Sequence, residues 1–339
     1  GLTQVCLDGD AVYWLEGRAA EGGRNVIVCR EADGAVRDVL PAPHNARNRV
    51  HEYGGGAYTV AAGVVYFAND DDQRIYRIAP GAAPAPITRV GPWRYADLMF
   101  DSKHRRLLCV CEDHGNDPPT NTIVEVDVTG HHPPRTLVAG SDFYAAPRVS
   151  PDGRRLAWLS WDHPDMPWDA AALSVAELDR AGRPLAPRRV AGGAGESVCQ
   201  PTFAPDGTLY FVADRSGWWN LYRLIDGTPR ALAPMAAELG VPQWVFGQTT
   251  FAFAGSDVIV AAANTNGVWR LLTIDTRTGA HTPLDTPYTD IAYVQARAGQ
   301  AVFIGATPTA LAAVVRLDLD RRRSEVLRSA ASVCLEPGF

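Results

Sequence analysis

The chain contains no complete catalytic motif that can be read from its sequence. A serine hydrolase holds its nucleophile on a sharp turn, usually G-x-S-x-G, and the partial match at residues 195–199 lacks the final glycine. His51 and Glu52 begin a zinc-peptidase pattern, but no second histidine follows. The glycines at 54–56 are followed by neither a dinucleotide-binding pattern nor the lysine of a P-loop. We therefore predict no catalytic residue, no metal ion and no cofactor for this chain.

Three segments instead combine histidine, carboxylate, arginine and aromatic side chains in a way that suits recognition. They are residues 49–56, 161–169 and 214–220. Loops often carry binding residues, and exposed Trp and Arg side chains are frequent interface anchors. The candidate binding residues in these segments are His51, Glu52, Tyr53, Asp162, His163, Trp168, Arg215, Trp218 and Trp219. Each one could instead only pack or bond neighbouring parts of the fold, so the hypothesis concerns the segments as a group.

Composition excludes several classes of partner. The 339 residues include 32 Lys and Arg against 38 Asp and Glu, which gives a net charge of −6. The densest basic run, residues 321–323, is short and follows two aspartates, whereas a nucleic-acid surface concentrates positive charge. No apolar run approaches the roughly 18 residues of a membrane span. We therefore predict neither a nucleic-acid partner nor a membrane partner.

The cysteines and the N-terminal residues bear on cellular location. Six cysteines are spread along the chain without the spacing of a zinc or redox site. Free cysteine packs like a small apolar residue, so we expect buried thiols. The first residues lack the basic start and the apolar stretch of a signal peptide. Both observations favour a reducing, cytoplasmic location.

Strand-like segments dominate the chain and repeat at a regular interval. Two Pro-Asp-Gly turns, at residues 150–153 and 204–207, each precede a predicted strand. Weaker copies recur, and six steps from Gly9 to Gly299 average about 48 residues, close to the roughly 40 to 50 residues of a four-stranded blade. We predict an all-β fold, a seven-bladed β-propeller of four-stranded antiparallel blades. The predicted blades are 2–40, 51–90, 94–139, 142–192, 196–235, 243–285 and 288–329.

The predicted topology places the recognition segments on one face. Each blade takes its four strands from one continuous stretch, so we predict that blades 1 and 7 exchange no strand and close the ring by side-chain packing. In such a blade the first and third turns lie on one face, while the second turn and the connection to the next blade lie on the other. The three recognition segments all fall on the second face, together with acidic segments 69–72 and 112–117.

Three motifs on this face resemble those of a known enzyme family. They are residues 51–55 (HEYGG), residues 160–169 (SWDHPDMPWD) and residues 214–222 (DRSGWWNLY). Each is similar to segments of bacterial prolyl oligopeptidase-family serine peptidases, in the acylaminoacyl-peptidase and dipeptidyl-aminopeptidase-like branch. The similarity extends from residue 7 to residue 336.

The resemblance implies a domain arrangement and a function. Residues 1–330 would form the propeller, and residues 331–339 would begin the linker to a C-terminal α/β-hydrolase domain that carries the Ser-Asp-His triad and is absent from this chain. The propeller would be non-catalytic. It would limit access to the peptidase active site through its tunnel and help to recognise peptide substrates. The charged residues expected to engage the substrate are Glu52, Asp162, His163 and Arg215.

Two other functions are compatible with a propeller. A stand-alone binding propeller, similar to the periplasmic Tol-system propeller, would serve as a protein-interaction platform and would carry an export signal in the full gene. A propeller enzyme such as a lactonase would line its central channel with Asn, Asp and Glu around a divalent metal ion.

Overall fold

The computed structural model describes residues 1–331, which form seven four-stranded antiparallel sheets arranged as the blades of a ring. Blade 1 consists of β1 (Leu2–Asp8), β2 (Ala11–Arg18), β3 (Arg24–Arg30) and β4 (Val36–Asp38), and blade 2 consists of β5 (Tyr58–Ala61), β6 (Val64–Ala68), β7 (Ile75–Ile78) and β8 (Ala85–Pro86). Blade 3 consists of β9 (Trp93–Asp101), β10 (Arg106–Asp113), β11 (Thr120–Asp127) and β12 (Arg135–Val138). Blade 4 consists of β13 (Phe143–Val149), β14 (Arg155–Trp161), β15 (Ala172–Leu178) and β16 (Pro184–Gly192). Blade 5 consists of β17 (Val198–Phe203), β18 (Leu209–Ala213), β19 (Asn220–Ile225) and β20 (Thr228–Ala231). Blade 6 consists of β21 (Phe251–Phe253), β22 (Val258–Thr265), β23 (Val268–Asp275) and β24 (His281–Pro283). Blade 7 consists of β25 (Asp290–Arg297), β26 (Gln300–Thr307), β27 (Ala310–Asp318) and β28 (Arg323–Ser329). The short 3₁₀ helix Ala19–Glu21 follows β2, and within residues 1–331 no helix has the length and apolar character needed to cross a membrane.

The blade number and the strand connectivity confirm the prediction from the sequence. Every sheet contains four strands that are consecutive in the chain, and neighbours in the sheet are neighbours in sequence. Strand β1 pairs with β2, and in the described part of the chain no N-terminal strand joins the sheet of blade 7. Within residues 1–331, the ring is therefore closed without a shared sheet.

The first strand of each blade borders the central channel, and most of these strands contact the first strands of the adjacent blades. In five blades this strand contains a bulge at which its pairing with the second strand shifts register. One residue at each bulge has a positive φ angle: Gln4 (53°), Asp97 (54°), Ala146 (52°), Gln200 (49°) and Tyr293 (54°). A bulge leaves its extra residue outside the ladder, so that residue can bond to the next blade.

Three of these bulges join neighbouring blades by side-chain hydrogen bonds. The Gln4 amide donates to the Tyr58 carbonyl (3.0 Å) and accepts from the Ala57 N–H (3.1 Å). Gln200 makes an equivalent pair of bonds between blades 5 and 6, and Asp97 joins blades 3 and 4. Ala57 and Tyr58 are each only 3% exposed, so these bonds satisfy backbone groups that water cannot reach.

Blades 1 and 7 meet through an apolar cluster bordered by ion pairs. Val302, Ile304 and Val314 of blade 7 belong to the same buried cluster as the strands of blade 1. The ion pairs across this junction are Glu16–Arg328 (2.7 Å), Arg30–Glu325 (3.0 Å) and Asp10–Arg297 (2.7 Å). Closure by side-chain packing, as predicted from the sequence, is confirmed.

We expect Gln4→Ala to lower the free energy of unfolding by about 1–3 kcal/mol, because the buried Ala57 N–H and Tyr58 carbonyl lose their partner. Chemical denaturation followed by tryptophan fluorescence measures the change. Gln4 itself has a positive φ angle of 53°, so alanine adds no backbone strain at this position. Arg105→Ala is the matched control, since Arg105 is exposed and has a φ angle of 55°. A loss in Arg105→Ala as large as that in Gln4→Ala would show that the missing bonds are not its cause.

Candidate functional site

A cavity of about 440 Å³, which we call the bay, opens on the face that carries the connections between blades. Four chain segments contribute to its walls, namely residues 50–54, 118–121, 163–168 and 243–248, together with strands β9, β10, β13, β14 and β17. Sites for small ligands usually measure about 300–1,000 Å³, so the bay is large enough for one. The predicted recognition segments 49–56 and 161–169 both line it.

Four aromatic rings form the inner wall of the bay. The centroid of the His51 ring lies 5.0 Å from that of Phe143, 5.6 Å from that of Trp161 and 5.0 Å from that of Phe246. Phe143 and Trp161 stack on each other with centroids 5.5 Å apart. Rings attract one another at these separations, so the inner wall is apolar and its parts hold each other in place.

Three further aromatic side chains form the rim of the bay. Tyr53 meets Trp244 edge to face at 5.6 Å, and Trp244 lies 4.4 Å from Trp168 between ring centroids. Tyr53 is 63% exposed and Trp244 is 52% exposed. Exposed apolar surface of this kind marks interaction sites, so the rim can contact a ligand or a partner domain.

His51 has a fixed position and is neutral at pH 7. Its backbone N–H donates to the Glu112 carboxylate at 3.0 Å. Burial among the aromatic rings lowers the pKa of the imidazole to about 4, although the nearby Glu112 and Asn121 act in the opposite direction. A ligand in the bay therefore meets an uncharged ring at this position.

Glu112 anchors the segment around His51 to blade 3. The Glu112 side chain is buried, and its second oxygen pairs with His114 (2.7 Å) and with Arg94 (3.4 Å). Arg94 also pairs with Glu52 at 3.0 Å, and the Glu52 side chain is 76% exposed. This chain of ion pairs places the Glu52 carboxylate at the mouth of the bay.

The lining of the bay carries more negative than positive charge. Glu52, Asp97, Glu112 and Asp165 line it, and Arg148 is the one arginine among the described lining residues. Arg148 pairs with Asp97 at 3.3 Å. The bay therefore favours a neutral or positively charged ligand over an anion. Within residues 1–331, no group of three His, Cys, Asp or Glu side chains is arranged to hold a metal ion.

The structure brings five of the nine candidate residues to the bay. They are His51, Glu52, Tyr53, His163 and Trp168. The His163 side chain is 74% exposed and bonds through Nδ1 to the Asp142 carboxylate at 2.9 Å. Trp168 belongs to the aromatic rim. These residues come from two loops more than 100 positions apart in the chain, one between blades 1 and 2 and the other between β14 and β15.

The other four candidates lie outside the bay. The Asp162 carboxylate accepts the backbone N–H of Asp142 at 2.7 Å. Arg215 pairs with Glu196 at 2.7 Å and covers the ring of Tyr222. Trp219 packs against the core between blades 5 and 6, whereas Trp218 is 41% exposed on the same loop.

Phe143, Trp244 and Phe246 line the bay but are absent from the candidates named from the sequence. The prediction places residue 243 at the start of blade 6, whereas β21 begins only at Phe251. The turn residues Pro242 and Gly247 are the sequence signal that a connection, not a strand, occupies this stretch.

Comparisons with known proteins find similar solved structures. A scan against protein-family models and a search of curated proteins both find no match. Among solved structures, a puromycin-hydrolysing peptidase of Mycobacterium tuberculosis is 36% identical with a TM-score of 0.93, covering 99% of this chain and 54% of that one. A puromycin hydrolase is 33% identical with a TM-score of 0.92, covering 98% of this chain and 54% of that one.

A more distant structure shares the fold. Prolyl oligopeptidase B from Galerina marginata is 13% identical with a TM-score of 0.71, covering 97% of this chain and 51% of that one. The chain matches the propeller of prolyl oligopeptidase-family peptidases. The resemblance predicted from the three motifs is therefore confirmed, and the chain spans about half the length of the structures that it matches.

Acid should destabilise this propeller partly through His51. The pKa of His51 in the fold, about 4, lies below the value of about 6.5 in an unfolded chain. The unfolded chain therefore binds a proton at this histidine more readily than the folded chain does. As a result, the contribution of His51 to the free energy of unfolding is highest above pH 6.5 and decreases as the pH falls from 6.5 to 4. Since each pKa unit corresponds to about 1.4 kcal/mol, we expect up to about 3 kcal/mol from this residue.

Chemical denaturation of wild type and His51→Gln at pH 7 and pH 4.5 measures this contribution. The variant should lose less stability than the wild type between the two pH values. His281→Gln, at an exposed histidine on β24, is the control and should behave as the wild type does. Equal losses in the wild type and His51→Gln would contradict the prediction.

Proposed function

We propose that this chain is the non-catalytic propeller of a serine peptidase and that its bay-bearing face covers the active site of a C-terminal α/β-hydrolase domain. The observation that carries the proposal is the 36% identity over 99% of this chain to a puromycin-hydrolysing peptidase of which the chain covers 54%. The remaining part of such a parent protein would hold the catalytic residues, since the sequence of this chain contains no nucleophile motif.

The proposed domain boundary follows from the last blade. Strand β28 ends at Ser329, which supports a propeller of residues 1–330. The linker to the hydrolase domain would begin at 331–339, and residues 332–339 lie outside the described part of the chain.

The bay supports a role in substrate recognition and in control of access to the active site. Its aromatic walls suit an apolar or aromatic group of a short peptide or amide substrate. The excess of carboxylates, with Glu52 at the mouth, favours the protonated amino group at the N-terminus of such a substrate. A propeller that covers the active site would also exclude water and large proteins from the reaction.

A cytoplasmic location is part of this proposal. Five cysteines in the described part of the chain are free, and four of them are buried: Cys29, Cys109, Cys111 and Cys199. Burial raises the pKa of the Cys29 thiol to about 11 and that of the Cys111 thiol to about 12. Unreactive, unpaired thiols suit a reducing compartment.

The experiment that tests the proposal is expression of the coding region together with the sequence that follows Phe339. The longer protein should hydrolyse p-nitroanilides of aromatic amino acids, and puromycin, which the names of its relatives give as their substrate, is the second test compound. The 339-residue chain alone should hydrolyse neither. A following sequence without a hydrolase domain would refute the proposal and favour a stand-alone binding propeller.

Substitutions in the rim test the role of the bay in the longer protein. Trp244→Ala should raise KM for the aromatic p-nitroanilide about tenfold or more, because a ring contact with the substrate is lost. Trp218→Ala is the matched control, since Trp218 is similarly exposed but does not line the bay. Equal KM values for the two variants would show that the bay does not take part in substrate recognition. They would not affect the proposal that the chain belongs to a peptidase.

A further inference from the structure

Two connections between blades meet across the central channel. The Phe246 N–H donates to the Gly54 carbonyl at 2.9 Å, and Gly55 forms a parallel bridge with Phe246. The first connection joins blades 1 and 2, and the second joins blades 5 and 6. These junctions lie on opposite sides of a seven-membered ring, so the contact spans the channel mouth. We call residues 54–56 and 245–247 the crossbar.

The crossbar brings backbone against backbone at a distance that only glycine allows. Gly55 has a φ angle of +95°, and a Cβ atom there would lie 2.5 Å from the Phe246 oxygen and 2.6 Å from the Phe246 nitrogen. A Cβ atom at Gly56, with a φ angle of +53°, would lie 2.7 Å from the Asp97 Cα atom. These neighbours are backbone atoms, so a side chain at either glycine would move a whole segment.

The first half of the crossbar is held in place from below. The Asn48 side chain is 2% exposed, and its amide donates to the Gly55 carbonyl at 2.7 Å. The Gly54 N–H donates to the Val50 carbonyl at 3.0 Å. Because these bonds hold residues 54–56 in place, a side chain added at Gly55 would displace residues 245–247 instead.

The bay lies entirely on one side of the crossbar. Its strand residues come from blades 3, 4 and 5, and among the described lining residues none belongs to a strand of blade 1, 2, 6 or 7. The remaining wall consists of loop residues 118–119 and 163–168 and of the crossbar with the residues next to it. The bay is therefore a site beside the axis of the channel and not the channel itself.

Both halves of the crossbar carry aromatic walls of the bay. His51 and Tyr53 precede the glycines, and Trp244 and Phe246 lie in or beside the second half. The distance between the two halves therefore fixes the ring separations of 5.0 Å for His51–Phe246 and 5.6 Å for Tyr53–Trp244.

We propose that Gly55 sets the width of the bay and thereby the largest aromatic group that the propeller admits. The inference rests on the proposed function only in that it takes the bay to be a ligand site. From the sequence alone, the propeller is expected to select substrates by what can pass through its tunnel. Under this proposal, selection depends instead on the shape of the bay, which lies beside the channel axis.

The test uses the 339-residue chain and two probes, N-acetyl-L-phenylalaninamide with one ring and N-acetyl-3-(2-naphthyl)-L-alaninamide with two fused rings. Calorimetry gives both dissociation constants for wild type and Gly55→Ala. The variant should shift the ratio of the two constants at least about fivefold toward the two-ring probe, since pocket discrimination of small apolar groups is typically tenfold or more. Hydrogen exchange of the Phe246 amide should become about tenfold faster, because its bond to Gly54 is weakened.

Gly81→Ala is the matched control. Gly81 has a similar φ angle of +72°, but a Cβ atom there would meet nothing within 4 Å. This variant should keep the wild-type ratio and exchange rate. If Gly55→Ala does not fold, Gly247→Ala replaces it, since its Cβ would press on the Gly56 Cα atom at the milder distance of 3.2 Å.

Three results would overturn the inference. Unchanged exchange at Phe246 in folded Gly55→Ala would show that Gly55 does not hold the crossbar together. Faster exchange of the Phe246 amide with an unchanged ratio of the two dissociation constants would show that the crossbar does not set the width of the bay. Absence of binding of either probe to the wild type would show that the bay is not a preformed aromatic site, while peptidase activity of the longer protein would leave the proposed function intact.

Discussion

Packing of each blade against its neighbours holds this ring together, and side-chain hydrogen bonds at three bulges fix how the first strands of adjacent blades meet. A four-stranded blade cannot bury both of its faces alone, so each blade is stable only against its neighbours. The bulges at Gln4, Asp97 and Gln200 supply side chains that satisfy backbone groups of the next blade. They fix the position of one inner strand relative to the next, and hence the geometry of the channel mouth.

In the part of the chain that the structure describes, blades 1 and 7 share no sheet, and their junction relies on apolar packing and ion pairs. The crossbar adds a second connection within the ring, because it links the junction of blades 1 and 2 to that of blades 5 and 6. The same feature therefore serves two purposes. It braces a ring that is closed only by side chains, and it forms one wall of the bay.

The bay combines a rigid apolar interior with a negatively charged mouth. The rings around His51 exclude water strongly enough to keep the imidazole neutral, whereas Glu52 at the mouth remains exposed and paired with Arg94. This division suits a ligand with an aromatic end and a polar or cationic end. The fold agrees closely with that of two puromycin-hydrolysing enzymes over nearly the whole chain.

The sequence by itself determined the number of blades, their four-stranded composition and the face on which the recognition segments lie, because turn residues and strand periodicity are local properties that repeat about every 48 residues. It also placed His51, Tyr53 and Trp168 at a common surface. Only the tertiary structure decided that Trp244 and Phe246 complete the site, and that Asp162, Arg215 and Trp219 bond or pack elsewhere. Gly55 and Phe246 are 191 positions apart, and their contact depends on the closure of the whole ring, which no local pattern encodes.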